Sequence, residues 1–78
     1  MRYRKSRDVH NWSGDDGAIT VSRRYNPSTE EVWFSVVVIS WHARRLTSFE
    51  ANTVLGAYKR GCRYIRDMDH AAHADIPF

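Results

Sequence analysis

The side chains best suited to binding a metal lie near the C-terminus. The segment 67–75 contains three aspartates and two histidines, namely Asp67, Asp69, His70, His73 and Asp75. On a helix, His70 and His73 would be neighbours, and imidazole with carboxylate oxygen is a ligand set that divalent metals accept. A metal site also needs supporting hydrogen bonds, which the end of a chain rarely supplies. The sequence therefore predicts no metal site and no cofactor.

General-base and nucleophile chemistry has few candidate residues elsewhere. A hairpin followed by a helix resembles the ββα-metal nucleases, in which His10 or His42 would supply the base. That architecture needs His or Asn ligands on its helix, and the segment 47–66 offers only Asn52. Cys62 falls among apolar helix positions, where a thiol packs as a small hydrophobe. With no Ser-His-Asp spacing and no glycine-rich phosphate loop, we predict that the protein is not an enzyme.

Cationic and aromatic side chains form the clearer pattern. The 78 residues carry a net charge of +3, with 12 Lys and Arg, nine acids and three tryptophans. All 12 cations fall within residues 1–66, so that the body is basic and the tail acidic. Aromatic residues and arginine dominate the binding energy of protein interfaces, and Lys and Arg bind phosphates. This composition predicts a binding protein.

These side chains must be positioned by the stretch 32–41, which has β-branched and aromatic residues and no Gly, Pro or charge. It is the predicted central strand. One of its faces carries Val32, Phe34, Val36 and Val38. The other carries Trp33, Val37, Ile39 and Trp41. Because both faces are apolar and one helix covers only one of them, we expect the second face to be covered by the N-terminal segment, another subunit or a partner.

The flanking segments predict a hairpin and a basic start. Residues 18–25 alternate between apolar and polar side chains, and residues 26–30 form a Pro-containing loop, so residues 17–42 are a predicted β-hairpin. Residues 1–13 contain four cations and are either a charged edge strand or a flexible basic arm. In the first reading, Tyr3, Val9 and Trp12 are the candidates to cover the second face.

The C-terminal half predicts one helix. The spacing of Thr47 and Glu50 matches a capping box, so we expect a helix over 48–70, followed by an acidic tail over 71–78. Its apolar stripe is Ala51, Val54, Leu55, Tyr58, Cys62, Ile65 and Met68. Gly61 at the margin of this stripe predicts close approach to a strand. The outer flank is basic: Lys59, Arg60, Arg63 and Arg66.

Together these elements predict an α+β fold. We expect residues 1–78 to form one domain, a small antiparallel sheet of two or three strands packed on one C-terminal helix in the order β-β-β-α. The longest apolar run is far below the roughly 20 residues of a membrane-spanning helix, and no apolar run follows the basic start, so neither a membrane span nor a secretory signal is predicted. A single cysteine suits a reducing compartment, and the expected localisation is cytoplasmic.

The predicted function is that of a non-enzymatic interaction protein that docks on a protein or nucleoprotein complex. Compact, motif-free chains of this kind are common among phage and mobile-element inhibitors of host machinery, anti-CRISPR proteins included. The predicted partner-binding residues are Trp33, Trp41, Arg23, Arg24, Arg44, Arg45, Lys59, Arg60, Arg63 and Arg66.

Two alternatives remain open at this point. The first is direct binding of DNA or RNA, with phosphates held by Arg2, Arg4, Lys5, Arg7, Arg23 and Arg24. Such binding should weaken steeply with added salt, whereas a tryptophan-centred protein interface should lose little. The second alternative is a structural homodimer that buries the second sheet face between subunits.

Overall fold

The computed structural model describes the backbone of residues 1–74 and the side chains of residues 1–70. The chain forms one antiparallel sheet whose five strands lie in chain order, followed by one helix. The elements are β1 Arg2–Ser6, β2 Val9–Ser13, β3 Gly17–Asn26, β4 Glu31–Ser40, β5 Arg45–Ala51 and α1 Val54–Ala74. The α+β class with an antiparallel sheet and a C-terminal helix is therefore confirmed, and the predicted strand count of two or three is wrong. The predicted acidic tail lies outside the residues whose side chains are described.

The basic start forms two strands and is not a flexible arm. Residues 2–6 and 9–13 pair as a tight hairpin, and β2 pairs in turn with β3. The turn at Arg7 and Asp8 places Arg7 at a positive φ of 50°. β1 is consequently an edge strand, and its charged side chains are exposed, as edge strands generally require. β3 and β4 form the longest hairpin of the sheet, in which Gly17 pairs with Ser40 at one end and Asn26 pairs with Glu31 at the other.

The predicted start of the helix is wrong. Thr47 and Glu50 belong to β5, where they pair with Val38 and Ser35 of β4. The segment alternates in burial, so its period is that of a strand, and its pairing satisfies the second edge of β4. The helix begins at Val54, and Thr53 caps it: the Gly56 amide donates to the Thr53 hydroxyl at 3.0 Å.

The helix covers one face of the sheet and forms the core with it. The buried apolar residues are Ile19, Val21, Val36, Val38, Ala57 and Ile65. Gly61 lies directly over Ile19, which confirms the predicted close approach. The predicted stripe is only partly correct, since Leu55 is 65% exposed while Ala57 and Gly61 are buried. Small residues at the centre of the contact let α1 lie close to the sheet. The helix turns the side that carries these small residues towards the sheet, and Leu55 lies on a side that faces solvent.

Among the described residues, α1 is the only helix, and it is not long and apolar enough to cross a membrane.

Candidate functional site

The two predicted docking tryptophans do not form one surface. Trp33 is half-buried on the face of β4 that the helix leaves open. Trp41 lies in the loop after β4, where its indole N–H donates to the carbonyl of Gly14 at 3.0 Å. The two residues are eight positions apart along a nearly extended chain, roughly 26 Å at about 3.3 Å per residue. A contact centred on both tryptophans would therefore need a very large partner surface.

The open face is less apolar than the central strand alone suggested. The residues that flank Val37 on the neighbouring strands are Thr20 and Ser48, and those that flank Ser35 are Ser22 and Glu50. A small apolar patch remains at one corner of this face: Ala18, Val37, Ile39 and Leu46. Tyr3 and Trp12 do not cover this face, because the register places them in line with Ile19 on the helix side.

Trp33 has an acidic environment. It lines a shallow depression together with Glu31 and Glu50, and with the polar side chains of Asn26 and Asn52. Arg24 is its direct cross-strand neighbour on β3. Two carboxylates beside the ring disfavour a phosphate at this position, since like charges repel. The depression around Trp33 is therefore a poor site for a phosphate.

The outer surface of α1 carries a cluster of cations. Lys59, Arg63 and Arg66 are exposed there, and we call these three residues the basic ridge. Together with Gly56 and Arg60 they line a shallow groove along the helix. Arg60 differs from the other three, because its guanidinium lies 4.5 Å from the ring centroid of Phe49 and so packs on β5. The ridge is the largest cluster that the structure forms from the predicted partner-binding residues.

None of the cations within residues 1–70 has a carboxylate partner among those residues. The single ion pair there joins the Nε2 atom of His42 and a carboxylate oxygen of Asp16, 3.4 Å apart. The guanidinium and ammonium groups of the ridge are therefore exposed and, among residues 1–70, form no ion pair. The other predicted cations are spread over the sheet. Arg2, Arg4 and Arg24 lie on the open face, Lys5, Arg23 and Arg45 on the helix side, and Arg7 and Arg44 in turns.

An aromatic cluster that the sequence analysis did not identify lies beside the helix. Tyr3, His10 and Trp12 share the helix side of β1 and β2, with the centroids of Tyr3 and Trp12 4.9 Å apart and those of His10 and Trp12 6.0 Å apart. The Tyr3 hydroxyl and His10 Nδ1 are hydrogen-bonded at 2.6 Å. Trp12 meets Tyr58 of α1 edge to face, with centroids 4.7 Å apart. Their spacing in the sequence places Tyr3 with Lys5, and His10 with Trp12, on one face of a strand. Only the register of β1 with β2 brings the two pairs together.

These contacts define a groove between α1 and the β1–β2 hairpin. Tyr58 faces β2, whereas Arg60 faces β5, so the helix presents different flanks to the two sides. Lys59 and Arg66 project about 100° and 80° around the helix from Tyr58, and Arg66 lies about 12 Å further along the axis towards the C-terminal part of α1. We call this feature the aromatic groove: Tyr3, His10 and Trp12 form its floor, and Tyr58 forms its helical wall.

One end of the aromatic groove differs in charge from the other. Towards the C-terminal part of α1 it opens into a cavity lined by Met1, Asp16, Cys62, Ile65, Arg66 and Asp69 in addition to Tyr58. At the other end, Lys5 is next to His10 in the register, and both lie in line with Val21. The Lys5 end is therefore basic, whereas the other end combines Arg66 with two carboxylates.

Tyr58 has a perturbed hydroxyl. A hydrogen bond with Cys62, and then the negative charge of the Cys62 thiolate and partial burial, raise the pKa of Tyr58 above its ordinary value. A phenol is neutral at neutral pH at its ordinary pKa, and the raised pKa of Tyr58 only moves its ionisation further above neutrality.

Residues 1–70 contain no group of three or more His, Cys, Asp or Glu side chains placed to hold a metal ion. Comparison with known proteins adds no functional information, because no family model, no curated protein and no solved structure matches the chain.

Proposed function

We propose that the protein is a non-enzymatic interaction protein that docks on a nucleoprotein complex through the phosphates of its nucleic acid. The observation that carries the proposal is the basic ridge, in which three exposed cations occupy two turns of α1 without a carboxylate within 4 Å among residues 1–70. Phosphate backbones supply most of the affinity in such contacts, because bound Lys and Arg release condensed counterions.

The acidic side chains support this orientation of the molecule. Glu31 and Glu50 flank Trp33 on the open face, on the opposite side of the sheet from α1. These carboxylates disfavour a polyanion at Trp33 itself and leave the basic ridge on the helix side as the better site. Binding by the helix side would leave the open face turned outwards.

In its most specific form, the proposal is an inhibitor from a phage or mobile element that obstructs the nucleic-acid channel of a host complex, as anti-CRISPR proteins do. What supports it is small size and basic charge: the ridge can bind the phosphates of a nucleic acid held in such a channel, and the rest of the domain would then occupy space that the target strand needs. The expected result in a reconstituted RNA-guided complex is reduced binding of target DNA.

The experiment is a fluorescence-anisotropy titration of labelled random 20-nucleotide DNA and RNA at 50 and 200 mM salt. The test variant replaces the ridge with Lys59→Gln, Arg63→Gln and Arg66→Gln, all exposed positions. The matched control, Arg24→Gln with Arg44→Gln and Arg45→Gln, removes the same charge from β3, from the turn before β5 and from β5. We expect the ridge variant to lose tenfold or more in affinity at 50 mM salt, and its salt slope to fall by about 2 for three lost contacts to a single strand.

Two results would contradict the proposal. One is the absence of any shift with DNA or RNA at 50 mM salt. The other is an equal loss in the ridge and control variants, which would reduce the effect to net charge. In either case, a protein surface without phosphates would become the better partner.

A further inference from the structure

The aromatic groove offers rings to a ligand that the basic ridge alone does not explain. Tyr3 is 49% exposed although it packs against Trp12 and is hydrogen-bonded to His10, so its ring is both held and accessible. His10, Trp12 and Tyr58 are each half-buried. A folded domain of this size would gain stability by burying such a cluster fully. Its partial exposure leaves ring surface open to a ligand.

The groove also carries cations on both of its rims. Lys5 lies beside His10 on the strand side. On the helix side, Lys59 follows Tyr58, and Arg66 lies about 12 Å further along α1, in the cavity that Asp16 and Asp69 also line. All three cationic side chains are exposed, and none has a carboxylate partner within 4 Å among residues 1–70. An aromatic floor between two cationic rims matches a chain of flat rings joined by phosphates. Proteins that bind single strands combine these same two features.

We infer that the aromatic groove binds single-stranded DNA or RNA by stacking unpaired bases on Tyr3 and Trp12, an assignment that rests on the proposed function and names the form of nucleic acid it engages. The phosphates lie along Lys5 on one rim and along Lys59 and Arg66 on the other. A duplex presents no free ring faces along its length, so it binds only through its backbone.

The test compares three ligands of equal length by anisotropy at 50 mM salt: oligo(dT) of ten nucleotides, an abasic strand of the same phosphate number, and a ten-base-pair duplex. The test variant is Tyr3→Leu. Its matched control is Tyr25→Leu. Tyr25 is similarly exposed, at 51%, and lies beside the loop that joins β3 to β4, outside the aromatic groove. Tyr3→Phe retains the ring and loses only the hydrogen bond to His10.

We expect oligo(dT) to bind at least fivefold more tightly than the abasic strand, and Tyr3→Leu to lose roughly fivefold or more on oligo(dT) alone. Tyr3→Phe and Tyr25→Leu should bind like the unmodified chain. In a Trp33→Phe, Trp41→Phe background, the remaining Trp12 fluorescence should be quenched by oligo(dT) and not by the abasic strand.

The failures of the two proposals are distinguishable. If oligo(dT) and the abasic strand bind equally, and Tyr3→Leu changes neither, the groove inference is overturned while the ridge proposal stands. A duplex that binds more tightly than oligo(dT) also overturns the groove inference. If none of the three ligands binds at 50 mM salt, both proposals fail.

Discussion

Gly61 sets the distance between α1 and β3. A Cβ atom at this position would lie 2.9 Å from Cδ1 and 3.0 Å from Cγ1 of Ile19, whose side chain is fully buried and has no room to move. Alanine would gain about 1 kcal/mol in helix propensity, while forcing a methyl group into a packed core costs about 1–3 kcal/mol. We expect Gly61→Ala to lower the free energy of unfolding by roughly 1 kcal/mol, measured by urea denaturation.

The same site offers a rescue experiment. Ile19→Val removes the Cδ1 atom nearest to the new methyl group, so the double variant should be more stable than the sum of the two single changes predicts. Strict additivity, or a Gly61→Ala variant more stable than the original chain, would show that this contact does not limit the packing of the helix.

At the scale of elements, the two threonines that resemble caps should behave differently. Thr53→Val removes the hydroxyl that accepts from the Gly56 amide, and loss of a cap costs about 1 kcal/mol. Thr47→Val keeps a β-branched side chain in β5 opposite Val38 and should change stability by less than about 0.5 kcal/mol. Urea midpoints of the two variants check the prediction. A larger loss at Thr47 than at Thr53 would place the start of the helix at the earlier threonine.

The elements that the sequence predicted correctly are those with local signals. The β3–β4 hairpin follows from the β-branched run 32–41 and the loop around Pro27, and one C-terminal helix follows from its apolar period. β5 was missed because the spacing of Thr47 and Glu50 suits both a capping box and alternate faces of a strand. Only pairing with the free edge of β4, a contact made in three dimensions, decides between the two.

The candidate site was predictable in part for the same reason. The basic ridge depends on helical spacing alone, so the sequence placed Lys59, Arg63 and Arg66 together. The aromatic groove depends on the two-residue turn at Arg7, which sets Tyr3 opposite Trp12, and on the contact of Trp12 with Tyr58 across 46 positions of sequence. Neither the register nor the crossing of the helix can be derived from the periodicity of one segment.

At the scale of the whole molecule, the open sheet face decides the oligomeric state. A stable dimer buries about 800 Å² per partner, more than an eighth of the 5957 Å² that the chain exposes. The apolar patch of that face has only four side chains, among which Val37 and Ile39 are already half-buried by their neighbours. Most of the surrounding positions are serine, threonine or charged. We therefore expect the protein to be a monomer of 9.1 kDa in light scattering at concentrations up to about 0.1 mM.

Two exposed leucines provide a test of the predicted monomer and its control. Leu46 is 64% exposed at the edge of the patch, and Leu55 is 65% exposed on α1, outside it. Because both side chains are largely in solvent, lysine at either position should leave the fold intact, and neither substitution should change the mass of a monomer. A mass near twice 9.1 kDa that Leu46→Lys lowers and Leu55→Lys does not would show instead that two copies meet through the open face. In such a dimer both helices would still face outwards, so the basic ridge and the aromatic groove would be presented twice, and affinity for a long single strand would rise by avidity.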